Sequence, residues 1–123
     1  MYTLTVEDSF SSAHFLTCKG NVEYEPLHGH TFKVSVEISG DVLDDCGMLI
    51  DFRMIKKKLK EILDVFDHKL INEVVTFSPT SENLSKYVFE EIEKFLENHN
   101  GIRVNSATVW ESQKACAKYQ KEV

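Results

Sequence analysis

Apolar residues alternate with polar ones near both ends of the chain and fall at helical spacing between them. Tyr2, Leu4 and Val6 alternate with polar neighbours, which predicts a first strand over residues 2–10 that runs on to end near His14. Phe32, Val34, Val36 and Ile38 repeat the pattern and predict a second strand from about 28 to 39. Residues 17–27, with Gly20, Asn21 and Pro26, read as the loop between them. A turn over residues 40–47 leads to Met48-Leu49-Ile50-Asp51-Phe52, a short apolar run able to pair back as a hairpin.

Beyond Asp51, a good N-cap, the period changes. Phe52, Ile55, Leu59, Ile62, Leu63 and Phe66 predict a helix ending near Asp67-His68. Residues 69–79 read as a loop with a short apolar patch. Pro79-Thr80-Ser81-Glu82 opens a second helix, with Thr80 as N-cap and Glu82 in the first turn, where the helix dipole favours an anion. Leu84, Tyr87, Val88, Ile92, Phe95 and Leu96 form its apolar stripe, and Gly101 suits a left-handed stop. Residues 102–111 and 116–119 supply the last two strands. The order strand, strand, helix, helix, strand, strand predicts one α+β domain over residues 1–123, an antiparallel four-stranded sheet with two helices on one face. Such a sheet has two open edges, and oligomerisation is one way to cover them.

Composition narrows the function classes. With 42% hydrophobic and 28% charged residues the chain is an ordinary globular one. No apolar run approaches the roughly 20 residues of a membrane span, and residues 1–7 lack the pattern of a secretory signal, so the cytoplasm is the expected compartment and no membrane the expected partner. A net charge of -6 argues against nucleic acid as a partner. The run Lys56-Lys57-Lys58 with Lys60 reads as a solvated helix face. Cys18, Cys46 and Cys116 are odd in number and scattered, which fits reduced thiols; Cys46 and Cys116 read as structural.

The chemistry gathers at Glu25-Pro26-Leu27-His28-Gly29-His30. If the second strand begins near His28, then His28 and His30 project from one face and can chelate one ion. Gly29 between them allows other backbone to approach closely. Zn2+ suits neutral imidazole nitrogens, and a catalytic zinc usually takes three protein ligands, of which His14 is the third candidate.

Five motifs in order, Ser12-Ala13-His14, Leu27-His28-Gly29-His30, Gly47-Met48-Leu49-Ile50-Asp51-Phe52, Asp67-His68-Lys69-Leu70-Ile71-Asn72 and Pro79-Thr80-Ser81-Glu82-Asn83, resemble the 6-pyruvoyltetrahydropterin synthase and 6-carboxytetrahydropterin synthase family over nearly the whole chain. The resemblance implies a tunnelling fold whose sheets join into a barrel, commonly a hexamer of two trimers with active sites at subunit interfaces. It implies that His14, His28 and His30 bind zinc and that Asp67 and His68 form a proton-transfer pair. It also implies that Glu111 anchors the guanidine-like edge of a pterin, with Thr80 and Glu82 in the substrate-binding set. The implied substrate is 7,8-dihydroneopterin triphosphate.

One departure bears on the reaction. The family's catalytic Cys lies four or six residues before the first His of the His-x-His pair, where this chain has Tyr24 and Val22. Glu25 stands three residues before His28 instead, which resembles the branch in which Glu replaces Cys and the product is 6-hydroxymethyl-7,8-dihydropterin for folate synthesis. Cys18, ten residues before His28, keeps open the 6-carboxytetrahydropterin product of the queuosine route. A metal- and pterin-binding protein without turnover is the third possibility.

Overall fold

The computed structural model describes residues 1–18 and 22–121, with the side chain of Val22 outside the described set. Strands β1 (Tyr2–Cys18), β2 (Val22–Gly40), β3 (Ile102–Ser112) and β4 (Ala115–Tyr119) form one antiparallel sheet in the order β1-β2-β3-β4. Helices α1 (Phe52–Asp64), α2 (Ile71–Val74) and α3 (Ser81–Leu96) lie between β2 and β3 in the chain. The predicted layers are therefore present, with two long helices on one face of four strands. No helix among the described residues is long and apolar enough to cross a membrane.

The core forms where the two periods meet. Phe32, Val34, Val36 and Ile38 of the central strand β2 are fully buried. Against them α1 lays Ile55, Leu59, Ile62 and Leu63, and α3 lays Leu84, Val88, Phe89, Ile92 and Leu96. Each such side chain contributes about 1.5–3 kcal/mol on burial. Phe10 stacks on Phe32 with ring centroids 4.9 Å apart, tying β1 to the same core. Both expected caps are made: Asp51 accepts from the Arg53 N–H, and Thr80 Oγ1 from that of Asn83. Gly101 takes φ +79 just before β3.

Three expectations are corrected. First, most of residues 17–27 is strand, because β1 and β2 form one long hairpin with Leu16 opposite Glu25 and Thr17 opposite Glu23. Pro26 falls at a register shift, where Phe15 alone on β1 faces Pro26 and Leu27, so its missing N–H breaks no ladder. Second, residues 48–51 are not a strand. The Asp44 carboxylate accepts from the N–H groups of Cys46 and Met48, a turn that buries Leu49 and Ile50 and delivers Asp51 to its capping position. Third, residues 69–79 contain α2, and the chain before it closes the outer edge of β1. The Asp67 carboxylate accepts from Ser11 N–H, Lys69 O from Ala13 N–H, and Asn72 bonds both backbone groups of Phe15. The apolar patch at Leu70-Ile71 hid this segment, since an edge clamp made by polar side chains has no hydrophobic period. All three cysteines are exposed, so Cys46 and Cys116 have no buried structural role.

Candidate metal and catalytic site

The hairpin register places His14 opposite His28 and Ser12 opposite His30, so the three imidazoles share one face at the end of the core. Phe32 forms the floor, edge-on to His14 and His30 at centroid separations of 5.3 and 5.5 Å. Two register shifts in β2, at Pro26-Leu27 and at Tyr24, turn Glu25 toward the same point. A third irregularity frees Glu111: pairing with β2 stops at Lys33 opposite Trp110, and pairing with β4 skips from Trp110 to Ser112. One ligand atom from each of His14, Glu25, His28, His30 and Glu111 then lies within 4.8 Å of every other.

The tautomers decide what this cluster can hold. His14 is 1% exposed, and its Nδ1 lies 2.8 Å from the Pro79 carbonyl. A carbonyl only accepts, so Nδ1 carries the proton and Nε2 presents a lone pair to the cluster. His28 repeats the device, with Nδ1 2.7 Å from the Pro26 carbonyl. The lone pair of His14 faces Glu111 Oε1 at 3.3 Å and that of His28 faces Glu25 Oε1 at 3.1 Å. His14 Nε2, His30 Nε2 and Glu25 Oε1 are buried without a hydrogen-bond partner. Acceptors aimed at one another in a buried site repel unless a proton or a metal cation lies between them. Burial first, and the neighbouring His28 second, lower the pKa of His30, which keeps it a neutral ligand. Three imidazoles with flanking carboxylates fit a divalent ion such as zinc.

Asp67 and His68 stand apart from the five converging groups. Asp67 Oδ2 is 2.9 Å from His68 Nδ1, while Oδ1 accepts from Ser11 N–H. The Ser11 N–H first, and His68 second, hold the Asp67 carboxyl below its usual range. The His68 ring is 82% exposed at a backbone φ of 57, so it is oriented by Asp67 and open outward. Both His68 and His30 border an open depression of about 580 Å3, with Lys69 beside them. A separate cavity of about 940 Å3 near Glu37, Glu93 and Arg103 contains none of the candidate residues.

Of the remaining candidates, Thr80 is engaged as the cap of α3, and Glu82 is exposed in its first turn. Cys18 is exposed at the end of β1, four residues and about 13 Å along the strand from His14. A Cβ on Gly29 would meet only Ser12 O at 3.7 Å, an ordinary contact, so no close approach requires glycine there. Sequence reasoning missed the Pro79 and Pro26 carbonyls, which set the two tautomers. Backbone acceptors carry no signal in residue identity, although a proline in each flanking motif was visible.

A four-stranded sheet with an outer helix pair and a three-histidine cluster flanked by carboxylates defines an α+β protein with a candidate metal site. The family model described as 6-pyruvoyl tetrahydropterin synthase matches residues 3–122, and the chain belongs to that family. It is 36% identical over 116 residues to a putative 6-carboxy-5,6,7,8-tetrahydropterin synthase of Archaeoglobus fulgidus, covering 94% of this chain and 93% of that one. It is 31% identical over 103 residues to a dihydroneopterin monophosphate aldolase of Pyrococcus furiosus, covering 84% and 83%. The solved 6-pyruvoyl tetrahydropterin synthase of Caenorhabditis elegans superposes with a TM-score of 0.83 at 28% identity, over 98% of this chain and 96% of that one.

Proposed function

We propose that this chain is a zinc-dependent lyase that cleaves 7,8-dihydroneopterin triphosphate by a retro-aldol reaction to 6-hydroxymethyl-7,8-dihydropterin, with Glu25 as the base. The observation that carries this reading is Glu25 Oε1 at 3.1 Å from His28 Nε2, a carboxylate at the ion site in a chain whose usual cysteine register is empty. The aldolase name of the Pyrococcus relative supports the same reaction type.

His14, His28 and His30 hold the ion, which when bound supplies Lewis acidity to the side-chain hydroxyls of the substrate. Glu25 takes the proton from the C2′ hydroxyl. The oxygen's electron pair forms the aldehyde as the C1′–C2′ bond breaks, and the bonding pair passes into the N5=C6 imine of the pterin. Protonation at C1′ completes the hydroxymethyl product, and the phosphorylated two-carbon aldehyde leaves. His68, oriented by Asp67, donates that proton, from the same chain or from a neighbouring copy in the hexamer. Glu111 receives the amino and ring N–H groups of the pterin in parallel, as a carboxylate receives Arg. Thr80, next to the Pro79 carbonyl that orients His14, keeps its hydroxyl proton free to donate to the substrate, and Glu82 completes the substrate-binding set from the exposed first turn of α3.

The second reading is 6-carboxytetrahydropterin synthesis, favoured by the name of the Archaeoglobus relative, with Cys18 as the thiol. The third is a metal- and pterin-binding protein without turnover. Zinc-loaded protein incubated with 7,8-dihydroneopterin triphosphate, and in parallel with the monophosphate, separates them by product mass. A hydroxymethyl product that Glu25→Ala abolishes and Cys18→Ala leaves intact supports the retro-aldol reading. A carboxy product lost in Cys18→Ala overturns it in favour of the second reading, and no product from either substrate favours the third.

A further inference from the structure

We infer that Glu111 is a fourth protein ligand of the ion in the substrate-free site, and that it leaves the ion when a pterin binds. The departure rests on the pterin reading above; the ligation does not.

The distances argue for ligation. With metal–ligand bonds of about 2.1 Å, the donors of a tetrahedral site stand about 3.4 Å apart. Glu111 Oε1 lies 3.3 Å from His14 Nε2 and 3.2 Å from His30 Nε2, close to that spacing, and 4.0 Å from His28 Nε2, so one oxygen has all three imidazoles within 4.0 Å. Glu25 Oε1 meets His28 and His14, at 3.1 and 3.7 Å, and so lies to one side, as a base beside the ion does. The orphaned acceptors on His14 and His30 are the two that face Glu111 most closely.

The backbone argues for departure. Glu111 sits at the β3 irregularity with no ladder partner in β2 or β4, while Trp110 before it and Ser112 after it are paired. A residue at a bulge between fixed neighbours can re-aim its side chain without breaking a strand hydrogen bond. Its side chain is also 34% exposed, so a ligand arriving from outside reaches the carboxylate before it reaches the buried face of His14. A pterin that takes the carboxylate through its amino and ring N–H groups thereby vacates the coordination position that the substrate hydroxyls need. The site stays closed until the correct ring is bound.

Cobalt-loaded protein tests both halves without turnover, since the visible absorption of Co2+ reports its ligand set. Glu111→Gln and Glu111→Ala should each change the spectrum and weaken Co2+ and Zn2+ binding by at least about tenfold, the scale on which even outer-shell changes act. Far-UV circular dichroism verifies that each variant is folded, and the isosteric Gln variant guards against a packing defect in the Ala one. Adding 6-methyl-7,8-dihydropterin, which has the pterin edge but no side-chain hydroxyls, should move the wild-type spectrum toward that of Glu111→Ala and leave the variants unmoved. Wild-type spectrum and affinity in both folded variants overturn the ligation. An unmoved wild-type spectrum at a pterin concentration shown by equilibrium dialysis to saturate the site overturns the departure. Because product mass plays no part, failure here is distinguishable from failure of the retro-aldol reading.

Discussion

Replacing Asn72 by Ala should destabilise the fold by about 2–3 kcal/mol, although the residue is polar, lies outside the core and touches no candidate ligand. Asn72 accepts from Phe15 N–H and donates to Phe15 O, both at 3.0 Å, and so stands in for the strand that the outer edge of β1 lacks. A hydrogen bond contributes about 1 kcal/mol net, and stranding a partly buried backbone partner adds to the loss. For a chain of this size that corresponds to a melting temperature lower by roughly 8–12 °C. Asn72→Asp should cost nearly as much, because a carboxylate keeps the bond from Phe15 N–H but faces the Phe15 carbonyl with a second acceptor. Thermal unfolding of the metal-free protein by far-UV circular dichroism measures the loss, and hydrogen exchange locates it, with the Phe15 amide losing protection before those of β2. His14 adjoins Phe15, so zinc affinity should fall as well. A shift below about 2 °C in Asn72→Ala, with Phe15 still protected, would refute the view that residues 67–72 act as an edge clamp.

Zinc should raise the melting temperature and EDTA reverse the rise, by about 2.7 kcal/mol at a free ion concentration 100 times Kd, and His14→Ala should abolish the effect. The folded pKa of His30 lies below 6.5, so the unfolded chain takes up the proton first; the metal-free protein should lose stability as pH falls below 6.5, and His30→Gln should flatten that decline. The Asp67 carboxyl is also depressed, so its contribution is complete above about pH 4 and is lost as pH falls through its folded pKa; Asp67→Asn should flatten the fall in melting temperature there. Gly40→Ala places a Cβ 2.6 Å from Leu49 Cδ1 and 2.8 Å from the Gly101 carbonyl, and should lower stability by about 1–3 kcal/mol in urea titration.

The legible part of the fold is the part that buries a periodic face. Phe32 to Ile38, Ile55 to Leu63 and Leu84 to Leu96 repeat their apolar spacing over several turns or pleats, and each forms the element that its period predicts. The parts read wrongly lack such a face. Over residues 16–18 and 23–27 the hairpin is a two-stranded extension whose side chains are mostly exposed, so its pairing rests on backbone hydrogen bonds that do not depend on residue type. Leu49 and Ile50 are apolar because they fill the space over Gly40 and the sheet end, a role a strand and a buried turn share. Local propensity cannot separate those two, and the Asp44 and Asp51 side chains settle it by capping.

In the site the same division runs between donors and the groups that aim them. His28 and His30 could be paired from strand alternation alone, and His14 could be named because a third ligand was required. Glu25 could be noticed only as a carboxylate next to the register from which the expected thiol is missing. That Glu25 and Glu111 both reach the imidazoles depends on three irregularities in the ladder, at Pro26-Leu27, Tyr24 and Glu111, each of which breaks the alternation used to read strands. A regular pleat would hold every donor to one of two fixed faces. Bulges remove that constraint residue by residue, which is how three histidines, two of them fixed by backbone carbonyls, come to share one point with two carboxylates from different strands. The positions least predictable from period are therefore those where the chemistry is concentrated, since departure from the period lets them converge.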